Sequence, residues 1–306
     1  MKLLWLDLNS SYAHSSLALP ALHAQIADDT TIEWCIVSAT INENTGMVVS
    51  RIHKHRPDII AATNWLFNHE QLLHIISRAK ALLPHCCIVL GGPEFLGNNE
   101  AFLYKNKFVS GVFRGEGEEV FPQWLKVWNH SKETWKSITG LCYLDENGRY
   151  QDNGIARVMN FSQLVSPEKS CFFNWSKPFV QLETTRGCFN TCAFCVSGGE
   201  KPVRTIPLEA IRERLNDIHQ HGIKNVRVLD RTFNYNNKRA KELLDLFRRR
   251  IKTGIIGLTQ GVITFGGRHS KFKRVGSATK PPYRKVIRRI GRIKISLFTK
   301  EYGNAC

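Results

Sequence analysis

The sequence predicts an α/β protein: an N-terminal doubly wound parallel sheet, then the opening part of a TIM-type barrel. Two observations carry this. Residues 1–128 alternate short apolar runs with helical stripes in five successive units, and such alternation argues a parallel sheet flanked by helices. Residues 179–250 then restart the alternation as strand, helix, strand, helix, the order in which a barrel of parallel strands begins.

Residues 2–9 form a short apolar run bounded by Lys2 and Asn9 and interrupted by Asp7, and read as a buried strand rather than a signal peptide. Residues 16–26 follow, with Leu19, Leu22 and Ile26 at helical spacing. Residues 32–37 are the second strand, and a helix near 44–55 ends before Pro57. Residues 59–63 are the third strand. Residues 69–83 put Leu72, Leu73, Ile76 and Leu83 on one face, and Pro84 follows the helix end. The fourth strand, 87–90, runs into Gly91-Gly92-Pro93-Glu94. The fifth, 108–113, runs into Arg114-Gly115-Glu116-Gly117-Glu118, and a last helix covers about 118–128.

In a doubly wound sheet, ligands bind beyond the carboxyl ends of the strands, where strand order reverses. Three loops fall at such ends: Asn9-Ser10-Ser11-Tyr12-Ala13-His14-Ser15-Ser16, Gly91-Gly92-Pro93-Glu94 and Gly115-Glu116-Gly117-Glu118. Glycine lets backbone amides approach a flat or anionic ligand closely. The candidate ligand-facing residues are therefore Ser10, Ser11, His14, Gly91, Gly92, Pro93, Gly115 and Glu116.

Residues 131–178 are expected to link the halves. Within them 141–150 reads as a hairpin, because Asn147-Gly148 suits a tight primed turn. The rest is rich in aromatics, with Phe172, Phe173 and Trp175, and reads as ordered.

Residues 179–184 open the second domain as a strand. A helix over 207–221 places Leu208, Ile211, Leu215 and Ile218 on one stripe, with Gly222 as its stop. The second strand, 226–229, ends in Asp230-Arg231-Thr232-Phe233-Asn234. A helix over 238–249 turns Ala240, Leu243, Leu244 and Phe247 inward.

Between the first strand and helix lie three thiols, Cys188, Cys192 and Cys195, in a Cys-x3-Cys-x2-Cys spacing. Thiolates select zinc, cuprous copper or iron–sulfur clusters. A closed zinc site wants a fourth ligand, and the next His, His219, lies in a predicted helix. Three thiolates on a 4Fe-4S cluster leave one iron open to a small molecule.

The bulk numbers narrow the class. No apolar run reaches the roughly 18 residues of a membrane span. Nine cysteines without an export signal point to a reducing cytoplasm and metal use. The net charge of +17 is concentrated at one end: residues 248–306 hold 16 Lys and Arg against one acid, Glu301. The remaining 27 basic and 25 acidic groups nearly cancel over the first 247 residues. The basic balance therefore belongs to a tail, which argues against nucleic acid as the partner of the main body.

The stretch Arg186-Gly187-Cys188-Phe189-Asn190-Thr191-Cys192-Ala193-Phe194-Cys195 resembles the cluster loop of radical S-adenosylmethionine (SAM) enzymes. The resemblance implies that the three Cys hold a 4Fe-4S cluster. Its open iron then takes the amino and carboxylate groups of SAM, and one electron cleaves SAM to methionine and a 5′-deoxyadenosyl radical. It also places Phe194 beside the adenine. The three N-terminal loops resemble those of the cobalamin-binding, Rossmann-like domain that precedes many radical SAM partial TIM barrels. Together with Asp230-Arg231-Thr232-Phe233-Asn234 they are similar to an uncharacterised subgroup of these proteins, over roughly residues 1–247. The resemblance implies cobalamin, an unknown small-molecule substrate, and a flavodoxin or ferredoxin as reductant.

Some features depart from the wider family. No Asp-x-His-x-x-Gly motif supplies a lower cobalt ligand, so no protein His is expected on cobalt. Related enzymes carry Gly-Gly-Glu after the second strand, against the SAM amino group; here Asp230 and Arg231 take that place, while Gly198-Gly199-Glu200 reads as a turn. After about residue 250 the texture changes to Gly, Pro and basic residues, and residues 251–306 are expected to be a non-native or disordered tail, from a frameshift or truncation. That expectation leaves the core incomplete and the chain open to being inactive. The alternatives are an RNA-modifying methylthiotransferase-like protein, with Cys35, Cys86 and Cys87 poorly placed for its second cluster, and a non-catalytic metal-binding fragment. The expected division is 1–130, 131–178, 179–250 and 251–306.

Overall fold

A computed structural model describes residues 1–12, 16–177, 179–192, 195, 200–223, 225–252, 257–258, 285–290 and 293–298. His14, Phe194, Gly198 and Gly199 lie outside the described residues, as does most of the tail. Two compact units divide the chain, the first Met1–Asn174 and the second from Trp175 onward.

The first unit is built on β1 (Lys2–Asn9), β2 (Glu33–Thr40), β3 (Ile59–Thr63), β4 (Cys87–Gly91) and β5 (Gly111–Phe113). They run parallel in the order 2-1-3-4-5. Between them lie α1 (Ala18–Ala24), α2 (Thr45–His55), α3 (His69–Leu82) and α4 (Glu100–Lys105), and α5 (Val120–Leu125) follows β5. Alternation along β1 explains the two-sided burial. Leu4, Leu6 and Leu8 pack with Val48, Ile52, Leu72 and Ile76 on one face. Leu3 and Trp5 pack with Phe121, Trp124 and Tyr143 on the other. A strand buried on both faces reads as a continuous apolar run, which is what residues 2–9 show.

Three expectations shift. The fifth strand is confined to Gly111–Phe113, because Val109 N donates to Asn106 O at 2.9 Å in a turn that closes α4. The hairpin forms as β6 (Leu141–Leu144) and β7 (Tyr150–Asp152), but it extends the sheet: β6 pairs antiparallel with β5. Its turn is not a tight primed one. Five residues, 145–149, separate the register pair Leu144 and Tyr150, and only Gly148 has positive φ, at 74°. Gly148 N donates to Asp145 O at 3.0 Å, and the Asp145 carboxylate accepts from Asn147 N and Arg149 N. That side chain favours a turn followed by one left-handed glycine.

The second unit begins with β8 (Val180–Leu182), β9 (Thr185–Arg186) and β10 (Arg204–Thr205). It continues with α6 (Leu208–Gln220), β11 (Asn225–Val228), α7 (Asn237–Lys252) and β12 (Gly257–Leu258). β8, β11 and β12 form a parallel sheet in the order 12-11-8, the start of a barrel wall. Ile211, Leu215 and Ile218 of α6 and Ala240, Leu243 and Phe247 of α7 are buried, as their spacing predicts. Residues 285–290 and 293–298 pair as antiparallel strands β13 and β14.

Candidate functional site

The cysteine loop is a closed excursion. β9 pairs antiparallel with β10, Thr185 opposite Thr205 and Arg186 opposite Arg204, so residues 187–203 leave and return at one point. Cys188 N donates to Glu200 O at 3.0 Å across the neck. Gly187 has φ +91°, and a Cβ there would lie 2.6 Å from Glu200 O and 2.9 Å from Pro202 O. Only glycine lets the outgoing chain pass this close to the returning one. Gly187 is therefore a requirement of the loop's base.

The thiols differ in exposure: Cys188 is buried, Cys195 half-buried and Cys192 exposed. Cys195 N donates to Cys192 O at 3.0 Å, turning the chain between the last two. Among the described residues no three His, Cys, Asp or Glu gather tightly enough for a single metal ion. Three unpaired thiols spread over one closed loop are soft donors, and they suit an iron–sulfur group, whose ligands reach separate irons.

Asp230, Arg231 and Thr232 follow β11, beside the end of β8. They alternate: Asp230 is 3% exposed, Arg231 is exposed, and Thr232 is 1% exposed. The Asp230 carboxylate accepts from Thr184 N at 2.7 Å, from Thr185 N at 3.0 Å and from the Thr184 hydroxyl. Burial pushes its carboxyl up, against these donors, which hold it down. Both oxygens are engaged by the chain, so Asp230 acts first as a clamp on the strand that leads into the cysteine loop. Thr232 Oγ1 lies 3.4 Å from Cys188 Sγ.

In the first unit the strand order 2-1-3-4-5 puts the switch point between β1 and β3, and in open α/β sheets ligands bind beyond the carboxyl ends of the strands at such a point. Ser10 and Ser11 leave β1 there, half-buried and exposed respectively. Gly91 ends β4, and Gly92, at φ +112°, would put a Cβ 2.5 Å from Asn64 O. Pro93 opens a short turn that buries Phe95. Gly115, at φ +104°, would put a Cβ 2.2 Å from Ala156 O, and Glu116 Oε2 accepts from Val158 N at 2.7 Å. The forced conformations of Gly92 and Gly115 are thus explained by the chain's own backbone. That leaves Ser10, Ser11 and Gly91 as the small and hydroxylated residues at the carboxyl ends of β1 and β4.

Sequence reasoning missed Asn64, Asn68 and His69, which follow β3 at the same edge. Asn68 Nδ2 donates to Leu8 O at 3.0 Å and to Thr63 O at 3.1 Å, while its Oδ1 accepts from Trp65 N at 2.8 Å. The Asn64 side chain pairs with His69 Nδ1 at 3.1 Å. The signal was two asparagines, four residues apart, between a strand and a helix. In the amino half of the sheet, burial pushes the Cys86 thiol up to about 12 and raises Cys87 and Cys35 as well. Cys86 packs into the core on one face of the sheet and Cys87 against the core on the other, so these adjacent thiols do not converge on one site.

Comparison with known proteins adds to this geometry. The family model of the B12 binding domain matches residues 8–125, and that of the radical SAM superfamily matches residues 182–298. An uncharacterized methyltransferase of Pyrococcus horikoshii is 29% identical over 201 residues, 63% of this chain and 43% of that protein. The hopanoid C-3 methylase of Methylococcus capsulatus is 26% identical over 180 residues, 55% of this chain and 34% of that protein. The chain spans less than half the length of either relative. Among solved structures, the cobalamin-dependent SAM radical enzyme OxsB, with aqua-cobalamin and SAM bound, matches with a TM-score of 0.66 at 19% identity, covering 86% of this chain and 38% of that one. The radical SAM methyltransferase TsrM of Kitasatospora setae, with cobalamin and a 4Fe-4S cluster bound, gives 0.64 at 17% identity, covering 84% and 55%. At these identities the likeness is one of fold. Among the described residues no helix is long and apolar enough to cross a membrane.

Proposed function

We propose, from the premise that this chain joins a B12-binding domain to a radical SAM domain and is homologous to cobalamin-dependent radical SAM methyltransferases, that it is a radical SAM enzyme of cobalamin-dependent methyl transfer or rearrangement. Cys188, Cys192 and Cys195 hold the 4Fe-4S cluster. Ser10, Ser11, Gly91, Gly92, Pro93, Gly115 and Glu116 border the cobalamin edge of the first unit. When bound, the cluster supplies the electron that cleaves SAM, and cobalamin supplies the methyl carrier. The chain's own contribution is placement. Gly187 and the Cys188–Glu200 bond close the loop, Asp230 fixes its approach, and the exposed Arg231 offers a guanidinium to a carboxylate. The observation that carries the reading is a single closed loop with three thiols, one of them buried. The sequence carries no Asp-x-His-x-x-Gly motif, through which the wider family would supply a lower cobalt ligand. The reductant is a low-potential flavodoxin or ferredoxin, and the site of action is the cytoplasm, where free thiols persist.

Anaerobic reconstitution tests this. Iron and acid-labile sulfide near four per chain are expected, falling in Cys188→Ala, Cys192→Ala and Cys195→Ala. Electron paramagnetic resonance of the reduced protein should change on adding SAM, and bound cobalt should rise on incubation with cobalamin. A colourless protein, or iron content indifferent to the three replacements, would overturn the proposal.

A further inference from the structure

We propose that Thr232 is a positioning residue for the cluster, its hydroxyl donating a hydrogen bond to the sulfur of Cys188 and thereby raising the cluster's reduction potential. The inference rests on the cluster assignment above. Thr232 Oγ1 and Cys188 Sγ are 3.4 Å apart, with Thr232 1% and Cys188 9% exposed. A thiolate that ligates iron carries no proton, so the hydroxyl must be the donor. Hydrogen bonds to ligand sulfurs stabilise the extra electron of the reduced cluster and shift its potential upward. Low exposure keeps water from replacing this donor.

The approach is built in. Residues 230–232 follow β11, and their burial alternates, with Asp230 and Thr232 buried and Arg231 exposed. Asp230 and Thr232 therefore share one side. Asp230 is bonded to Thr184 N at 2.7 Å and to Thr185 N at 3.0 Å, which locks the segment against the strand entering the cysteine loop. Tyr235 N donates to Thr232 O at 3.3 Å and fixes the backbone on the other side. The hydroxyl is thus held from both ends at the first cysteine. Cys192 and Cys195 are both more exposed than Cys188.

The test uses the full chain, reconstituted anaerobically, with a redox titration followed by electron paramagnetic resonance. Iron and sulfide counts report the cluster assignment, and the potential reports the Thr232 assignment, so the two fail separately. Thr232→Val keeps the shape and removes the donor; Thr232→Ser keeps the donor. The expected result is a full iron load in both, with a more negative potential in Thr232→Val and a potential near the parent's in Thr232→Ser. Loss of iron in Thr232→Val alone overturns the inference, since it makes the hydroxyl a requirement for holding the cluster rather than a tuner of its potential. Equal potentials in Thr232→Val and the parent overturn the inference. So does loss of iron in both variants, since that reports packing rather than the hydrogen bond.

Discussion

Asn68 and Leu8 are joined across the switch point of the first sheet: the Asn68 amide donates to the Leu8 carbonyl at 3.0 Å, and the same nitrogen donates to Thr63 O at 3.1 Å. One buried side chain therefore holds together the ends of β1 and β3. Leaving such buried carbonyls unpaired costs about 1–3 kcal/mol each. Asn68→Ala should lower unfolding stability by roughly 2–4 kcal/mol. Asn68→Asp should do no better, because a carboxylate cannot donate. Urea denaturation measures both, and a loss below about 0.5 kcal/mol, the range of ordinary surface changes, would refute the role.

Gly92 is a second support of that edge. A Cβ there would sit 2.5 Å from Asn64 O and 2.8 Å from Thr63 Cγ2, on a backbone at φ +112°. Asn64 O is a backbone atom at the end of β3 and cannot move away cheaply. Gly92→Ala should destabilise by about 2–4 kcal/mol and weaken cobalamin uptake. Gly97→Ala is the control, because a Cβ there meets nothing within 4 Å. Thermal melts with and without cobalamin separate the two variants.

Much of this architecture is legible in the residues. The two-faced burial of 2–9, the helical stripe of 69–83 and the three-thiol loop all announce themselves by periodicity or spacing, which are local signals. The pairing of the hairpin 141–150 with β5 is a long-range choice, and nothing within the hairpin encodes it. The role of Asp230 was hidden for a similar reason. Its partners, Thr184 and Thr185, lie some forty-five residues away, so an acid at a strand end reads equally well as a ligand contact or a clamp. Gly92 and Gly115 look like ligand glycines in sequence; their clashes with Asn64 and Ala156 appear only when the strands are side by side.

His23 gives the first unit a pH dependence. It is buried, its ring stands edge-on to Trp34 and Phe172, and its Nδ1 meets Ser170 Oγ at 3.0 Å. Burial lowers its pKa from the ordinary 6.5. The unfolded chain therefore takes up a proton first as pH falls. The stability His23 contributes is full above 6.5 and is lost as pH drops toward its folded value. Melting temperature should fall between pH 7.5 and 5, and His23→Gln should flatten that part of the profile. An unchanged slope in the variant would remove His23 as the cause.

Gly187 separates backbone strain from a clash at the cysteine loop. Its added Cβ would meet Glu200 O at 2.6 Å and Pro202 O at 2.9 Å, at φ +91°. Gly222 has a comparable φ of +73°, but nothing lies within 4 Å of a Cβ there. Gly222→Ala carries only the cost of a left-handed alanine, about 1–2 kcal/mol, and should keep its iron. Gly187→Ala must also force the neck open and move Cys188, whose amide is bonded to Glu200 O at 3.0 Å. It should retain about tenfold less iron against a chelator, the size of loss seen when the shell around a metal site is disturbed. Equal iron retention in the two variants would mean that the neck does not position the cysteines.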